Sequence, residues 1–339
     1  MNYKMKRIFL LFLTACLLLT SCQRLEPTDA PVSETQADTG GDGTAGVPEH
    51  AINVMSFNLY GINMMTTAKN DASVEIDGTV ATRGPKLNAL LRGEQIDIAG
   101  LQEASAPWRE WMMTGLDKDY GFTGYTTRDT GEGGIVLYRR DKFRVIDNGA
   151  FWLTYYAPTE PDKSSTSNFD RMCTWVIFRV LETDDVILFM DTHLDTVAEA
   201  RPEQAEVVIR QMQKLKKDVE TRMSLESCPV ILVGDMNARL DEIAYQVMVD
   251  NMKDARRNSL GDTVNDFYST SPGYRYYPQP YYFVRDGHVI DHIFVTENIT
   301  VYNYKMLQTS SNHCEYGTFI SDHNAIIAKI FWNIKENET

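Results

Sequence analysis

Short apolar runs rich in valine, isoleucine and aromatic residues recur from Ile52 to the end of the chain, with polar breaks between them. Runs of this length and composition suit buried strands better than helices. They predict strands at Ile52 to Phe57, Ile96 to Leu101, Ile135 to Tyr138, Met172 to Leu181, Val186 to Met190, Val230 to Val233, Val289 to Val295 and Ala325 to Trp332. Between them the spacing turns helical. The clearest case is Glu199 to Glu220, with Val208, Met212, Leu215 and Val219 on one face and Arg210, Lys214, Lys217 and Asp218 on the other. Shorter helices are predicted over Pro85 to Leu91 and Trp108 to Met113. The interleaving predicts an α/β protein whose sheets carry helices on one face. The other face must be buried too, and a second sheet is its natural partner.

The first residues break this pattern. Lys4, Lys6 and Arg7 precede an apolar run from Ile8 to Leu19, which is too short to span a bilayer and has the form of a secretory signal. It closes with Leu19-Thr20-Ser21-Cys22, which resembles a bacterial lipobox, so Cys22 is expected to be acylated after residues 1–21 are removed. An ordinary cleaved signal or a buried helix is the alternative. Residues 22–48 are rich in Thr, Pro, Gly, Asp and Glu and cannot bury enough surface to fold, so they read as a tether. The remainder is expected to be one catalytic domain, 49–334, with a short tail at 335–339. The expected location is outside the cytoplasm, anchored to a bacterial membrane (the outer membrane or cell surface), with no obligate protein partner evident.

Charge narrows the partners. The formal net charge is −14, and cleavage before Cys22 would make the chain more acidic still by removing three cations. Such a domain lacks the basic footprint of a non-specific nucleic-acid binder. Cys173, Cys228 and Cys314 show no metal-ligand spacing, although one disulfide with a leftover thiol is compatible with export.

The informative pattern is positional, because chemically capable residues stand at the carboxyl end of one predicted strand after another. Asn58 follows "VMSF", Gln102 and Glu103 follow "IDIAGL", and His193 and Asp195 follow "ILFMDT". Asp235 and Asn237 follow "VILVG", Asp291 lies within "HVIDHIFV", and Asp322-His323 opens the last strand. Ligands bind outside such strand ends in sheets of this kind. A single Gly-Asp-X-Asn turn arises readily for backbone reasons, but a succession of such motifs is harder to attribute to turns.

Asn58 and Glu103 offer hard oxygen ligands that suit Mg²⁺, with Mn²⁺ or Ca²⁺ as substitutes. A carboxylate beside His323 would favour the protonated ring, a cation for a phosphoryl oxygen or a general acid/base. Asp235 could hold an attacking water, and Asn237 could donate to the transition state. Together these suffice for hydrolysis at phosphorus. The "GDGTAG" stretch at 41–46 precedes every strand and belongs to the tether, not to a phosphate loop.

In order and spacing, "SFNLY", "GLQE", "GEGGIVLYRRDKF", "RMCTWVIFRV", "DTHLD", "VGDMNA", "VIDHIFV" and "SDHNA" resemble the motifs of the endonuclease/exonuclease/phosphatase superfamily. The resemblance implies a four-layer α/β/β/α sandwich with one cleft at the sheet edge. It implies that Asn58 and Glu103 hold the metal with Asp322 as a further ligand, that Asp235 and Asn237 position nucleophile and transition state, and that Asp291 orients His323. His193 resembles the second histidine of the deoxyribonuclease and sphingomyelinase branches, Glu132 its carboxylate partner, and Arg171 a phosphate-contacting arginine. His292 replaces an aromatic residue and, on an alternating strand, should point away from Asp291. The aromatic segment from Tyr274 to Phe283 could stack a base, ring or sugar, touch lipid, or simply pack. Together these readings predict a Mg²⁺-dependent phosphodiesterase or phosphatase. An extracellular nuclease of the same fold, or a surface lipoprotein that only binds a ligand, is the alternative.

Overall fold

The computed structural model describes residues 48, 50–61, 67–69, 75–127, 133–155, 158–159, 166–274, 277–278 and 289–332. Cys22, Glu132 and most of the aromatic segment lie outside them, as do the leader, the tether and the tail. In chain order the strands are β1 (Ile52–Asn58), β2 (Thr67–Lys69), β3 (Glu75–Asp77), β4 (Ile98–Gln102), β5 (Tyr120–Thr126), β6 (Gly133–Arg139), β7 (Phe143–Trp152), β8 (Met172–Val180), β9 (Val186–His193), β10 (Val230–Asp235), β11 (Lys253–Asp254), β12 (Thr263–Val264), β13 (Asp291–Val295), β14 (Ile299–Met306) and β15 (Ile326–Trp332). The helices are α1 (Val80–Gly93), α2 (Ala106–Thr114), α3 (Arg201–Met223) and α4 (Ile243–Val249). None of these helices is long and apolar enough to cross a membrane.

Two mixed sheets carry the fold, in the orders β12-β14-β15-β1-β4-β6-β5 and β11-β13-β10-β9-β8-β7, beside a separate β2-β3 hairpin. Three apolar clusters show the layering. One packs α1 and α2 onto the first sheet through Met55, Phe57, Leu87 and Trp108. A second packs α3 and α4 onto the other sheet through Leu188, Val208, Met212 and Tyr245. The third lies between the sheets, where Val54, Ile98 and Val136 meet Val176, Phe189 and Val233. Alternation along each strand sorts side chains to these faces, as for Val54 and Met55. The result is the four-layer α/β/β/α sandwich expected from the sequence.

The structure extends the predicted elements. Helix α1 starts at Val80 rather than Pro85, because Thr79 caps it, its Oγ1 accepting from the Thr82 amide at 3.4 Å. Strand β9 continues past Met190 to His193, and β10 past Val233 to Asp235, so these polar residues belong to the ladder itself. Strands β5 and β7 carried no clear apolar signal. They are the outer strands of the two sheets and only partly buried, which dilutes the alternation. The three domain cysteines are all free and buried, so the disulfide left open by the sequence is not formed.

Candidate active site

The inner faces of the sheets change character toward the carboxyl ends of β1, β4, β9 and β10. Apolar side chains give way to Ser56, Gln102, Thr174 and Asp191, and then to Asn58, His193, Asp235 and Asp291. Strand pairing sets the second group side by side, because Asp235 is in register with His193 on β9 and with Asp291 on β13. Hydrogen bonds and charge contacts join Asn58, Glu103, Arg171, Asn237, Asp322 and His323 to these three. Glu103, Arg171 and His193 line one small cleft.

Asp235 is the hub of this arrangement. Its Oδ2 accepts from Asn58 Nδ2 at 3.0 Å and lies 3.4 Å from His193 Nε2 and 3.8 Å from His323 Nε2. Its Oδ1 accepts from the Asn237 amide at 2.8 Å. Burial, and then the like charge of Asp291, push the Asp235 carboxyl up to about 7.

His323 Nδ1 is 2.9 Å from Asp291 Oδ2, and its Nε2 is 3.2 Å from the Ser271 hydroxyl. Burial alone would lower this imidazole, but Asp291, Asp235 and Asp322 outweigh it and hold the ring well above its usual value. Asp235, Asp291 and His323 lie within 4.8 Å of one another, a spacing that could hold an ion. A protonated ring has no lone pair to give, so a proton on the coordinating nitrogen of His323 and a metal bound there exclude each other.

His193 is held in the opposite state. The guanidinium of Arg171 stands 3.1 Å from its Nδ1. Burial, then Arg171 and His323, hold the imidazole well below its usual value. Asn237 donates through Nδ2 to the Leu194 carbonyl at 3.0 Å, and the same amide nitrogen stands 2.9 Å from His193 Nε2. The partner seen on His193 Nδ1 is thus a cation, while the expected carboxylate, Glu132, lies outside the described residues. Replacing Arg171 by glutamine should move the His193 titration upward, toward the ordinary value of about 6.5. Following the imidazole resonance against pH checks this, and an unchanged titration would remove Arg171 as a cause.

Asp322 lies within electrostatic reach of Glu103 and His323. Burial, with the charge of Glu103 added, pushes the Asp322 carboxyl up to about 6 although His323 pulls it down. Glu103 accepts from Asn58 Nδ2 at 3.0 Å and from the Gly61 amide at 3.1 Å. Two neighbouring carboxylates that repel each other form a hard-oxygen donor set that fits a divalent cation such as Mg²⁺. Asn58 presents its amide nitrogen to Glu103 and Asp235, while its oxygen accepts from the Tyr60 amide at 2.9 Å. The expected oxygen ligand would require the amide to turn over.

Backbone conformation sets these positions as much as side-chain type. Glu103 and Asn237 have φ of 55° and 46°, left-handed values that cost a non-glycine residue about 1 kcal/mol or more. Gly61 packs so closely that a Cβ there would sit 1.8 Å from the Glu103 carbonyl oxygen. Gly61→Ala should therefore destabilise the protein by about 1–3 kcal/mol and displace Glu103. The midpoint of urea unfolding measures the first effect, and an unchanged midpoint would show that the close approach is dispensable.

Several supporting residues were not singled out from the sequence. Buried Arg83 donates to the carbonyls of Gly78, Leu59, Tyr60 and Ile320, tying the chain after β1 to the segment before Asp322. Ser321 donates to the Asn58 carbonyl at 2.7 Å, and Thr270 accepts from the Asp291 amide at 3.1 Å. None follows a strand-end pattern. Ser321 opens the quoted motif "SDHNA" but was given no role there, whereas Arg83 and Thr270 left no local signal. Asp195 is a loop-holding residue, accepting from the amides of Phe169 and Val197. His292 is buried away from the cleft, stacked on Phe294 and 3.5 Å from Asp254, which agrees with its expected exclusion from the chemistry.

Fold and cleft together define a two-sheet sandwich with a carboxylate and histidine site at one end of the strands. The profile of the Endonuclease/Exonuclease/phosphatase family matches residues 55–323, and the chain belongs to that family of hydrolases acting on phosphate esters. An endonuclease/exonuclease/phosphatase family protein from Bacteroides thetaiotaomicron is similar in structure, with a TM-score of 0.67 and 24% identity over 85% of this chain and 98% of that one. A mannosyl-6-phosphatase of the same species has a TM-score of 0.66 and 24% identity over 83% of this chain and 100% of its own. The 3'-5'-exoribonuclease subunit Ccr4 of the CCR4-Not complex from Candida glabrata is 21% identical over 213 residues, which is 55% of this chain but 24% of that protein.

Proposed function

We propose that the protein is a Mg²⁺-dependent hydrolase that cleaves phosphate esters by in-line attack of water at phosphorus. The observation that carries this reading is the Asp235 carboxyl, set at about 7 and reached by Asn58, His193 and His323. A group titrating near the working pH suits a base that takes a proton from the attacking water. Cationic His323 and Arg171 are suited to bind the anionic phosphoryl oxygens, and Asn237 donates to the same oxygens as charge builds. Neutral His193 can hydrogen-bond the substrate without adding charge. Glu103 and Asp322, with Asn58, would hold Mg²⁺, which supplies charge neutralisation at the phosphoryl group.

Substrates of modest charge that carry a ring are the better match. The chain is strongly acidic, and Tyr60, Tyr274 and Phe319 form edge-to-face pairs at 5.6 Å and 6.2 Å beside the Glu103–Asp322 pair. The mannosyl-6-phosphatase likeness is compatible with a sugar phosphate. Nuclease activity is the second reading, favoured by the exoribonuclease relative. The test is release of phosphate from hexose phosphates and inositol phosphates, release of phosphocholine from sphingomyelin, and nicking of plasmid DNA or RNA, with Mg²⁺ and with chelator. Turnover of none of these in Mg²⁺ would leave a ligand-binding protein instead.

Export and acylation at Cys22 belong to the same proposal, supported by the basic flank, the apolar run and the small residues before the cysteine. A Cys22→Ala chain should leave the membrane fraction, and its retention there would remove the anchor.

A further inference from the structure

Beneath the catalytic residues, the inner faces hold a buried carboxylic side chain with no role in the chemistry above. Asp191 is 0% exposed and lies on β9, two residues before His193 and on the same face. Across the gap between the sheets, Gln102 ends β4 immediately before Glu103 and is 1% exposed. Gln102 Nε2 donates to Asp191 Oδ1 at 2.6 Å and to the Ser56 hydroxyl at 3.3 Å. Room for the carboxyl comes from glycines on the opposite sheet. A Cβ at Gly100 would stand 2.8 Å from Oδ1, and one at Gly134 would stand 2.8 Å from Oδ2.

Two atoms of this contact lack a partner, Gln102 Oε1 and Asp191 Oδ2. Both are acceptors when the aspartate is ionised, and a buried polar atom left unpaired costs about 1–3 kcal/mol. One proton on Asp191 answers both at once. A carboxylic acid and a primary amide are complementary: the amide N–H donates to the acid carbonyl, and the acid O–H donates to the amide carbonyl. The first of these bonds is the one observed. Among the described residues, the side chains beside Asp191 on the inner faces are Gln102, Thr174 and Val233, and none is a cation. An ionised carboxylate in this position would be an uncompensated buried charge.

We propose that Asp191 is a neutral acid paired with Gln102, and that this acid–amide couple is a positioning element fixing Glu103 on one sheet relative to His193 on the other. The positioning half rests on the roles given to Glu103 and His193 under the proposed function. Burial pushes the Asp191 carboxyl up to about 8, against the pull of the hydrogen bonds from Gln102 and the Leu101 amide. The couple is a polar crosslink over the apolar core between the sheets, placed next to the residues whose spacing matters. Groups that orient metal-holding side chains typically affect metal affinity or rate by about 10–100-fold when removed.

The test uses the full chain, with Asp191→Asn and Asp191→Leu. Infrared difference spectra of parent minus Asp191→Asn at neutral pH should show the carbonyl stretch of one further protonated carboxylic acid in the parent, beyond the band that Asp235 gives in both chains. Absence of that difference band overturns the neutral acid whether or not any ester is cleaved. Mn²⁺ affinity, read by electron paramagnetic resonance, should stay within about threefold in Asp191→Asn, because two amides pair as an acid and an amide do. It should weaken about tenfold or more in Asp191→Leu, with kcat falling further than KM rises. Parent-like affinity and kcat in Asp191→Leu would overturn the positioning role, as would equal losses in both variants. Should Asp191→Leu fail to fold, Gln102→Leu gives the same comparison from the other side of the couple. A parent that binds Mn²⁺ and shows the acid band but cleaves no ester would instead remove the proposed function.

Discussion

Replacing His323 by alanine should lower kcat for phosphate-ester hydrolysis by about a thousand-fold, with the fold intact by circular dichroism. The side chain contributes a buried cation, maintained by Asp291 at 2.9 Å and by Asp235 at 3.8 Å, where the substrate would bring negative charge. Burial lowers the imidazole, and the surrounding carboxylates raise it by more, so the folded-state value lies above the unfolded one. The sign follows: the stabilising charge is fully present below the unfolded value of about 6.5 and is lost as pH rises through the folded value. The pH profile should therefore show an alkaline limb. Asp291→Asn should shift that limb to lower pH by removing the main source of the upward shift. A His323→Ala enzyme within tenfold of the parent rate, or a limb unmoved in Asp291→Asn, would remove this cation from the mechanism.

Glu103→Gln should cost a comparable factor in kcat/KM, about a thousand-fold, and should also abolish stabilisation by metal. Adding Mg²⁺ to the parent should raise the melting temperature, because an ion that binds only the folded state stabilises it by mass action, by about 2.7 kcal/mol at one hundred times its dissociation constant. Asp322 gives this effect a pH dependence. Its carboxyl titrates at about 6 without metal, and protons compete with the cation for it, so the thermal shift should shrink as pH falls through that value. Differential scanning calorimetry with and without Mg²⁺, across pH, measures both. A Glu103→Gln protein that keeps the full thermal shift would place the metal elsewhere.

Much of the candidate site was legible in advance because its residues end strands. A strand that leaves the apolar layer must expose its last residues, and a polar residue there is conspicuous against the run before it, as Asn58, Asp235 and Asn237 are. The same contrast hid other parts. Asp191 sits inside the run of β9 and reads as a local irregularity until Gln102, 89 positions away, is set against it. Arg83 lies on the helix after β1, and its partners are backbone carbonyls, which carry no side-chain signature.

Local sequence was enough for the layered α/β plan, since alternation and helical spacing are short-range and the clusters above and below each sheet follow from them. It was also enough for the residue types of the site and the acidic character of the chain. Protonation and pairing depended on folding. Neutral His193 and cationic His323 are the same residue type at two strand ends. They differ because β8 brings Arg171 to one ring while β13 brings Asp291 to the other. Whether a carboxylate stays charged depends on what the opposite sheet places against it, and that is a property of contacts between residues far apart in the chain.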